Sequence, residues 1–157
     1  MAGLYDCDEY SAALAALCHD AAKGFPDTEM LMIAKEAAIQ IDPAEYYKPN
    51  LLHGPVAAIK CARELGITDQ DVLNAIRFHT TGRPGMSILE QIIYLADLIE
   101  AGRDYPGVDE LRALSEVNLQ AALKAAFKQT LKFVMEHDEP IHPMTVLALN
   151  WLITNQQ

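Results

Sequence analysis

Apolar residues recur at helical spacing along almost the whole chain, and residues that start or end helices separate the apolar segments. Asp8 is expected to cap a first helix that runs to about Lys23 and ends at Gly24, and Pro26-Asp27 to start a second that runs to about Ile41. Further helices are expected over Leu52–Leu65, from Thr68 to about Thr80, from Ser87 to about Glu100, over about Val108–Leu114, from about Asn118 to His137 and from about Met144 to Thr154. No segment shows the sustained alternation of a β-strand. The sequence therefore predicts an all-α fold, an irregular helical bundle.

Two of these helix starts have the spacing of a capping box. In this motif two residues three positions apart each accept, with the side chain, a hydrogen bond from the other's backbone amide. The pairs are Thr68 with Asp71 and Ser87 with Glu90. We therefore expect both helices to begin sharply at the first residue of each pair.

Length, charge and cysteine usage limit the kind of protein this is. With 157 residues and a hydrophobic fraction of 51%, residues 1–157 fit a single domain with a full core. The formal net charge of −10 argues against polyanionic partners, so neither nucleic acid nor an anionic membrane is expected. The longest apolar stretches, Ile88–Ile99 and Thr145–Ile153, are interrupted by polar residues and are shorter than the roughly 20 residues that span a bilayer. Because the start also lacks a basic secretory region and the three cysteines form no C-x-x-C pair, we expect a cytoplasmic protein.

Asp97 is the most unusual single position, because the residues around it from Ile92 to Ile99 are apolar on nearly every helix face. A carboxylate in such a place is costly unless it is paired or bound to a metal. Pairing with an arginine is the structural alternative. The adjacent His19 and Asp20 repeat the anomaly, since alanines and leucines surround them.

Two more histidines stand at predicted helix ends, His53 at a start and His79 at an end. Imidazole and carboxylate are ligands for divalent transition metals, so a helical bundle can gather such residues into a hydrolytic metal centre. Each histidine alone is more often structural than a ligand. Together with His19, Asp20 and Asp97 they predict a metal site.

Cationic side chains lie close in sequence to these candidate ligands. Lys23 is one turn after His19, and Arg83 and Arg103 lie in loops that contain glycine. A guanidinium and nearby backbone amides can bind a phosphate together. With Arg77, these residues are candidates for phosphate binding, although each alone is more often an ordinary surface cation.

Six runs of sequence carry a more specific pattern that covers essentially the whole chain. They are Leu17–Lys23, Leu52–Val56, Ile76–Met86, Leu89–Asp97, Ile99–Arg103 and Pro106–Asp109. In these runs the chain resembles the HD-domain phosphohydrolase superfamily and, within it, the bacterial symmetrical diadenosine tetraphosphatase family. The run from Phe78 to Met86 and the segment Tyr94-Leu95-Ala96-Asp97 are far more specific than the His-Asp pair.

The resemblance implies hydrolysis of diadenosine tetraphosphate to two ADP by a metal-activated hydroxide. The cofactor would be a dinuclear divalent centre, commonly iron, with manganese, cobalt or magnesium as substitutes. The partner would be a dinucleoside polyphosphate or ADP, and a homodimer is left open. The implied metal ligands are His19, Asp20, His53, His79 and Asp97, the implied catalytic residues are Asp20, Lys23 and Asp97, and the implied substrate contacts are His53, Arg77, His79, Thr80, Arg83, Arg103, His142 and Thr145.

One element of the family pattern is absent. The family's first ligand histidine precedes the His-Asp pair by about one helix and a turn, and no histidine lies before His19. We therefore expect residues 1–157 to be an N-terminally truncated domain that binds metal substoichiometrically. Two alternatives stay open: a hydrolase of another nucleotide, or a remnant of this fold that binds a nucleotide or a protein partner without turnover.

Overall fold

The computed structural model describes residues 1–155, and this part of the chain contains nine α-helices, two short 3-10 helices and no strand. The predicted all-α fold is confirmed. The α-helices are α1 (Glu9–Cys18), α2 (Asp27–Glu36), α3 (Pro43–Tyr47), α4 (His53–Glu64), α5 (Gln70–Phe78), α6 (Ile88–Ile99), α7 (Val108–Val117), α8 (Leu119–Glu136) and α9 (Pro143–Thr154), and the 3-10 helices are Ala2–Tyr5 and Pro49–Leu52. None of the helices in residues 1–155 combines the length and the apolar character needed to span a bilayer.

The start of α6 follows its predicted cap. The Ser87 hydroxyl accepts from Glu90 N, and the Glu90 carboxylate accepts from Ser87 N, so the capping box predicted for this pair is confirmed. The box predicted at Thr68 is wrong, because Asp69 caps α5 by accepting from Asp71 N and Val72 N. A carboxylate oxygen accepts hydrogen bonds from amides better than a hydroxyl does, and Asp69 stands one residue closer to the helix.

The first helix is shorter than predicted, since α1 ends at Cys18 and not near Lys23. Beyond it the backbone forms turns closed by hydrogen bonds between residues i and i+3, with Ala21 N donating to Cys18 O and Lys23 N donating to Asp20 O. The Ala-Ala-Lys sequence favours a continuing α-helix, so tertiary contacts override local propensity here. The His19-Asp20 pair therefore lies at a helix end, where consecutive side chains are free to turn toward one point.

The second helix also ends early, at Glu36 and not near Ile41. Ala38 has a left-handed φ of 55°, and Ile39 N donates back to Ala34 O. This is a Schellman ending, which usually has glycine at the left-handed position. Because alanine occupies it, no residue type at this position predicts the end of the helix. The helix Pro43–Tyr47 and the 3-10 helix Pro49–Leu52 that follow were not predicted.

Buried apolar side chains form two clusters on either side of the bundle. One joins α1, α2, α4 and α5, and the other joins α6, α7, α8 and α9. Helix α6 links them, since Ile93 belongs to the first cluster and Leu95 to the second. The polar residues predicted to bind metal lie at or next to the ends of α1, α4, α5 and α6.

Candidate metal centre

Four helix ends supply the five predicted ligands. His19 and Asp20 directly follow α1, His53 is the first residue of α4, and His79 directly follows α5. Asp97 lies in the last turn of α6. All five side chains come together in the structure, although they span 79 positions of the sequence from first to last.

The contacts among them form a continuous cluster. Ligand atoms of His19, Asp20 and His79 lie within 4.8 Å of one another. His53 joins on one side, with Nε2 3.3 Å from Asp20 Oδ1, and Asp97 joins on the other, with Oδ1 3.9 Å from His19 Nε2. The His79 ring lies 4.8 Å, centroid to centroid, from the rings of both His19 and His53.

Backbone carbonyls fix the tautomer of all three histidines. Nδ1 of His19 lies 2.7 Å from Ala16 O, Nδ1 of His53 lies 2.6 Å from Asn50 O, and Nδ1 of His79 lies 2.8 Å from Ile76 O. A carbonyl can only accept, so each Nδ1 carries the proton and donates it. In each neutral imidazole the Nε2 lone pair is therefore free and points into the cluster, as in histidines that bind metals through Nε2.

The contact between His53 and His79 needs a positive charge. Their Nε2 atoms are 2.9 Å apart, and two neutral rings in these tautomers would place two lone pairs against each other. Burial lowers the pKa of both histidines, that of His79 to about 4, so protonation is disfavoured at neutral pH. A divalent cation ligated by these nitrogens removes the repulsion without a proton.

Asp20 provides the second indication of a cation. Its Oδ1 is buried and has no hydrogen-bond partner among the described residues, although it faces both His53 and His79. Its Oδ2 accepts from Lys23 Nζ at 2.7 Å. Burial raises the pKa of Asp20, but the Lys23 bond and the nearby charges outweigh it and hold the pKa below its usual value. An ionised carboxylate with an unpartnered oxygen beside three imidazole nitrogens is a donor set that suits a divalent metal.

Asp97 combines the two explanations that the sequence allowed. Its Oδ1 accepts from Arg103 Nη2 at 2.6 Å, and its backbone oxygen accepts from Arg103 Nε at 3.0 Å. Arg103 is 38% exposed, so this ion pair is partly solvated and not a buried pair. The same Oδ1 lies 3.9 Å from His19 Nε2, so the pair with Arg103 leaves Asp97 at the edge of the cluster, and its role as a ligand stays a prediction.

Close packing at Gly54 brings His53 and His79 together. A Cβ atom on Gly54 would lie 2.8 Å from Arg77 O and 3.2 Å from His79 Nδ1. Any larger residue would force the start of α4 away from the end of α5. The bare glycine therefore allows the 2.9 Å approach of the two imidazoles next to it.

A cavity of about 390 Å³ opens beside the cluster. Five of the residues that line it were predicted as site residues, namely His19, Asp20, Lys23, Asp97 and Arg103. The other four, Ala16, Ile93, Ala96 and Glu100, were missed. Glu100 was missed because an exposed glutamate at a helix end is ordinary. The cavity has the volume of a small-molecule site, and three of the five candidate ligands line it, whereas His53 and His79 do not.

Two predicted phosphate contacts have other partners. Arg83 makes a bidentate ion pair with Glu90, through Nε to Oε1 at 2.6 Å and Nη2 to Oε2 at 2.9 Å. Arg77 is exposed and lies over the Phe78 ring, 5.3 Å from its centroid. Neither residue lines the cavity, and their roles in substrate binding stay predictions. The capping spacing identified Glu90 as a cap but did not indicate its second role as the partner of Arg83.

The remaining predicted substrate contacts also lie outside the cavity lining. His142 caps α9 by accepting from Met144 N, and its Nε2 lies 3.5 Å from Glu45 Oε1. Thr145 is buried in the first turn of that helix. Thr80 Oγ1 is buried and has no hydrogen-bond partner among the described residues. Their contacts with substrate stay predictions.

The low pKa of His79 predicts how stability depends on pH without metal. His79 titrates at about 4 in the folded protein and near 6.5 when unfolded, so between these values the unfolded chain binds more protons. The free energy of unfolding of the chelated protein should therefore be highest above pH 6.5 and fall by roughly 2–3 kcal/mol by pH 4.5 through this residue. Urea unfolding across this range measures it.

His79→Gln is the matched variant, since it removes the titrating ring and keeps a polar side chain. Between pH 6.5 and pH 4.5 the unfolding free energy of this variant should fall by roughly 2–3 kcal/mol less than that of the wild type. Equal slopes for the two proteins would show that His79 is not held neutral by the fold.

Comparison with known proteins places this site in a family. The HD domain family matches residues 1–102, which include all five candidate ligands. A Bacillus subtilis protein named bis(5'-nucleosyl)-tetraphosphatase, symmetrical, is 43% identical over 98% of this chain and 82% of its own length. A Staphylococcus aureus protein of the same name is 36% identical over 96% of this chain and 78% of its own length.

A solved structure gives the same result for the fold. The crystal structure of a "predicted HD superfamily hydrolase involved in NAD metabolism" from Clostridium acetobutylicum is similar with a TM-score of 0.95 and 43% identity. The similarity covers 99% of this chain and 82% of the other. The chain therefore belongs to the HD domain family, in the group of the symmetrical bis(5'-nucleosyl)-tetraphosphatases.

Proposed function

We propose that this chain hydrolyses diadenosine tetraphosphate symmetrically to two ADP at a divalent metal centre held by His19, Asp20, His53, His79 and Asp97. The metal part of the proposal is carried by the contact of 2.9 Å between His53 Nε2 and His79 Nε2 in rings whose Nδ1 atoms are already donors. The substrate part is supported by relatives of that name at 43% and 36% identity.

The charges of the cavity also favour a cation. Lys23 and Arg103 provide two positive charges, whereas Asp20, Asp97 and Glu100 provide three negative ones. A tetraphosphate would meet a net negative lining in a chain whose formal charge is −10. Divalent cations reverse the sign of the local field, so the lining suits a polyphosphate only together with metal.

The residues can be assigned to steps of the hydrolysis. Divalent metal, when bound, lowers the pKa of water and neutralises charge on phosphoryl oxygens. The three imidazoles and the two aspartates hold that metal, and the carbonyls behind each Nδ1 keep the rings oriented. Lys23 donates to Asp20 Oδ2 and Arg103 donates to Asp97 Oδ1, and in this proposal both cations would also bind phosphate oxygens as negative charge develops.

Water is the nucleophile in this proposal. The cavity lining contains no serine, threonine or cysteine among the described residues, so no hydroxyl or thiol there can form a covalent phosphoryl intermediate. One water adds to an inner phosphorus, the central P–O bond breaks, and both products are ADP. Iron as the metal remains a prediction from the family resemblance, a cytoplasmic location remains a prediction from the sequence start and the cysteines, and a homodimer stays open.

Chromatography of the products tests the proposal, because the product pattern does not depend on how fast the chain turns over. Diadenosine tetraphosphate incubated with the protein and Mn²⁺ should give ADP alone, and chelation should stop the reaction. Equal amounts of AMP and ATP would contradict symmetrical cleavage, and turnover that survives exhaustive chelation would contradict the metal centre. Faster release of product from a deoxynucleotide or a guanosine polyphosphate would favour the alternative substrates.

A further inference from the structure

Arg112, in the second turn of α7, bonds to three backbone carbonyls that lie where α6 ends and the next loop begins. Nε donates to Ile99 O at 3.0 Å, and Nη2 donates to Glu100 O at 2.8 Å and to Arg103 O at 2.9 Å. Nη1 donates to Asp109 Oδ1 at 2.7 Å. One guanidinium thus joins α7 to both ends of the segment 99–103.

These carbonyls need partners. The last carbonyls of a helix have no amide to accept from within the helix, and a cation near them is favourable. Arg112 supplies both the donors and the charge. Its planar fork of several N–H groups can reach three oxygens at once, which the single ammonium of lysine cannot do in the same geometry.

The segment that Arg112 holds carries a side chain of the metal cavity. Arg103 lines that cavity and donates to both the backbone oxygen and Oδ1 of Asp97. Arg112 itself is not part of the cavity lining. Its hydrogen bond to Arg103 goes to the backbone oxygen, so an effect on a ligand in the cavity would pass through the position of Arg103.

We propose that Arg112 is a positioning residue for polyphosphate binding, which sets the Arg103 guanidinium at the metal cavity by holding the carbonyls of Ile99, Glu100 and Arg103. The inference rests on the proposed function, because Arg103 meets phosphate only if the cavity accepts a nucleotide. It adds a residue from outside the cavity to the group that determines affinity for the polyphosphate.

A double-mutant cycle tests the coupling of the two arginines. Arg112→Met, Arg103→Met and the double variant are compared for the dissociation constant of ADP with saturating Mn²⁺, the KM and kcat for diadenosine tetraphosphate, and bound manganese. Each single change should weaken ADP binding by about 10- to 100-fold, the effect of losing a charge-assisted hydrogen bond, with manganese content unchanged. The double variant should bind no more weakly than Arg103→Met.

Two further variants serve as references. Asp109 is the fourth partner of Arg112, and its side chain is 87% exposed. Asp109→Ala should therefore change ADP binding by less than about twofold. Arg112→Lys keeps the charge and should restore only part of the affinity. It replaces Arg112→Met in the cycle if that variant does not fold.

The outcomes separate this inference from the proposed function. The positioning role would be overturned if the double variant lost ADP affinity by the product of the two single losses. It would also be overturned if Arg112→Met bound ADP as tightly as the wild type. Failure of the wild type to cleave diadenosine tetraphosphate, together with coupled losses in ADP binding, would overturn the proposed substrate and leave the role of Arg112 intact.

Discussion

Replacing Asp97 with alanine is expected to remove metal from the protein and lower turnover by on the order of 10³-fold, the factor that corresponds to several kcal/mol of lost charge stabilisation. The reason is its position, with Oδ1 3.9 Å from His19 Nε2 at the open side of the cluster. Metal content after gel filtration and the rate of ADP release measure the two effects.

The fold should tolerate this change. The Asp97–Arg103 pair is partly solvated, so its loss should alter the unfolding free energy of the chelated protein by less than about 1 kcal/mol. Glu100→Ala is the matched control, since Glu100 also faces Arg103, at 3.6 Å, and lines the same cavity. It should keep its metal. Full metal occupancy in Asp97→Ala, or a large loss of stability without metal, would show that Asp97 is a structural partner of Arg103 and not a ligand.

Replacing Arg83 with methionine should destabilise the protein by roughly 3–5 kcal/mol, the cost of leaving one member of a buried ion pair unpaired. Glu90 is 1% exposed, and without Arg83 its carboxylate keeps only the bond from Ser87 N. Thermal and urea unfolding of the chelated protein measure the loss. Because Arg83 itself is 30% exposed, water can reach part of the site and the lower end of the range is expected.

Two comparisons make this test specific. Arg77→Met removes an arginine that lies over the same Phe78 ring but has no carboxylate partner among the described residues, and it should cost less than about 0.5 kcal/mol. Combining Arg83→Met with Glu90→Gln should recover much of the lost stability, since no buried charge is then left. A stable Arg83→Met protein with a raised KM would instead support the phosphate contact predicted from the sequence.

The sequence predicted the helical class and three of the candidate ligands from strong local signals. Asp97 in an apolar helix and the His19-Asp20 pair among alanines each violate the ordinary pattern of a buried helix, and such violations mark functional sites. The capping box at Ser87 was equally clear because both of its partners are local.

What the sequence could not predict depends on an unusual backbone conformation at one residue and on contacts between loops and helices. The end of α2 rests on an alanine in a left-handed conformation, a position where only glycine would have been recognised. The pairing of Arg83 with Glu90 and the bonds of Arg112 to the end of α6 depend on how loops fold back on helices. The sequence therefore predicts Arg83 as a phosphate contact, because it lies in the run Phe78–Met86, and contains no signal for the role of Arg112.

Anomalous diffraction from crystals soaked in Mn²⁺ would show whether these histidines and aspartates bind metal. We expect an anomalous peak about 2.0–2.2 Å from Nε2 of His79 and from a carboxylate oxygen of Asp20, with further ligands from His19, His53 and Asp97. Fully ordered side chains with no peak inside the cluster, or a peak held only by exposed acidic residues elsewhere, would contradict it.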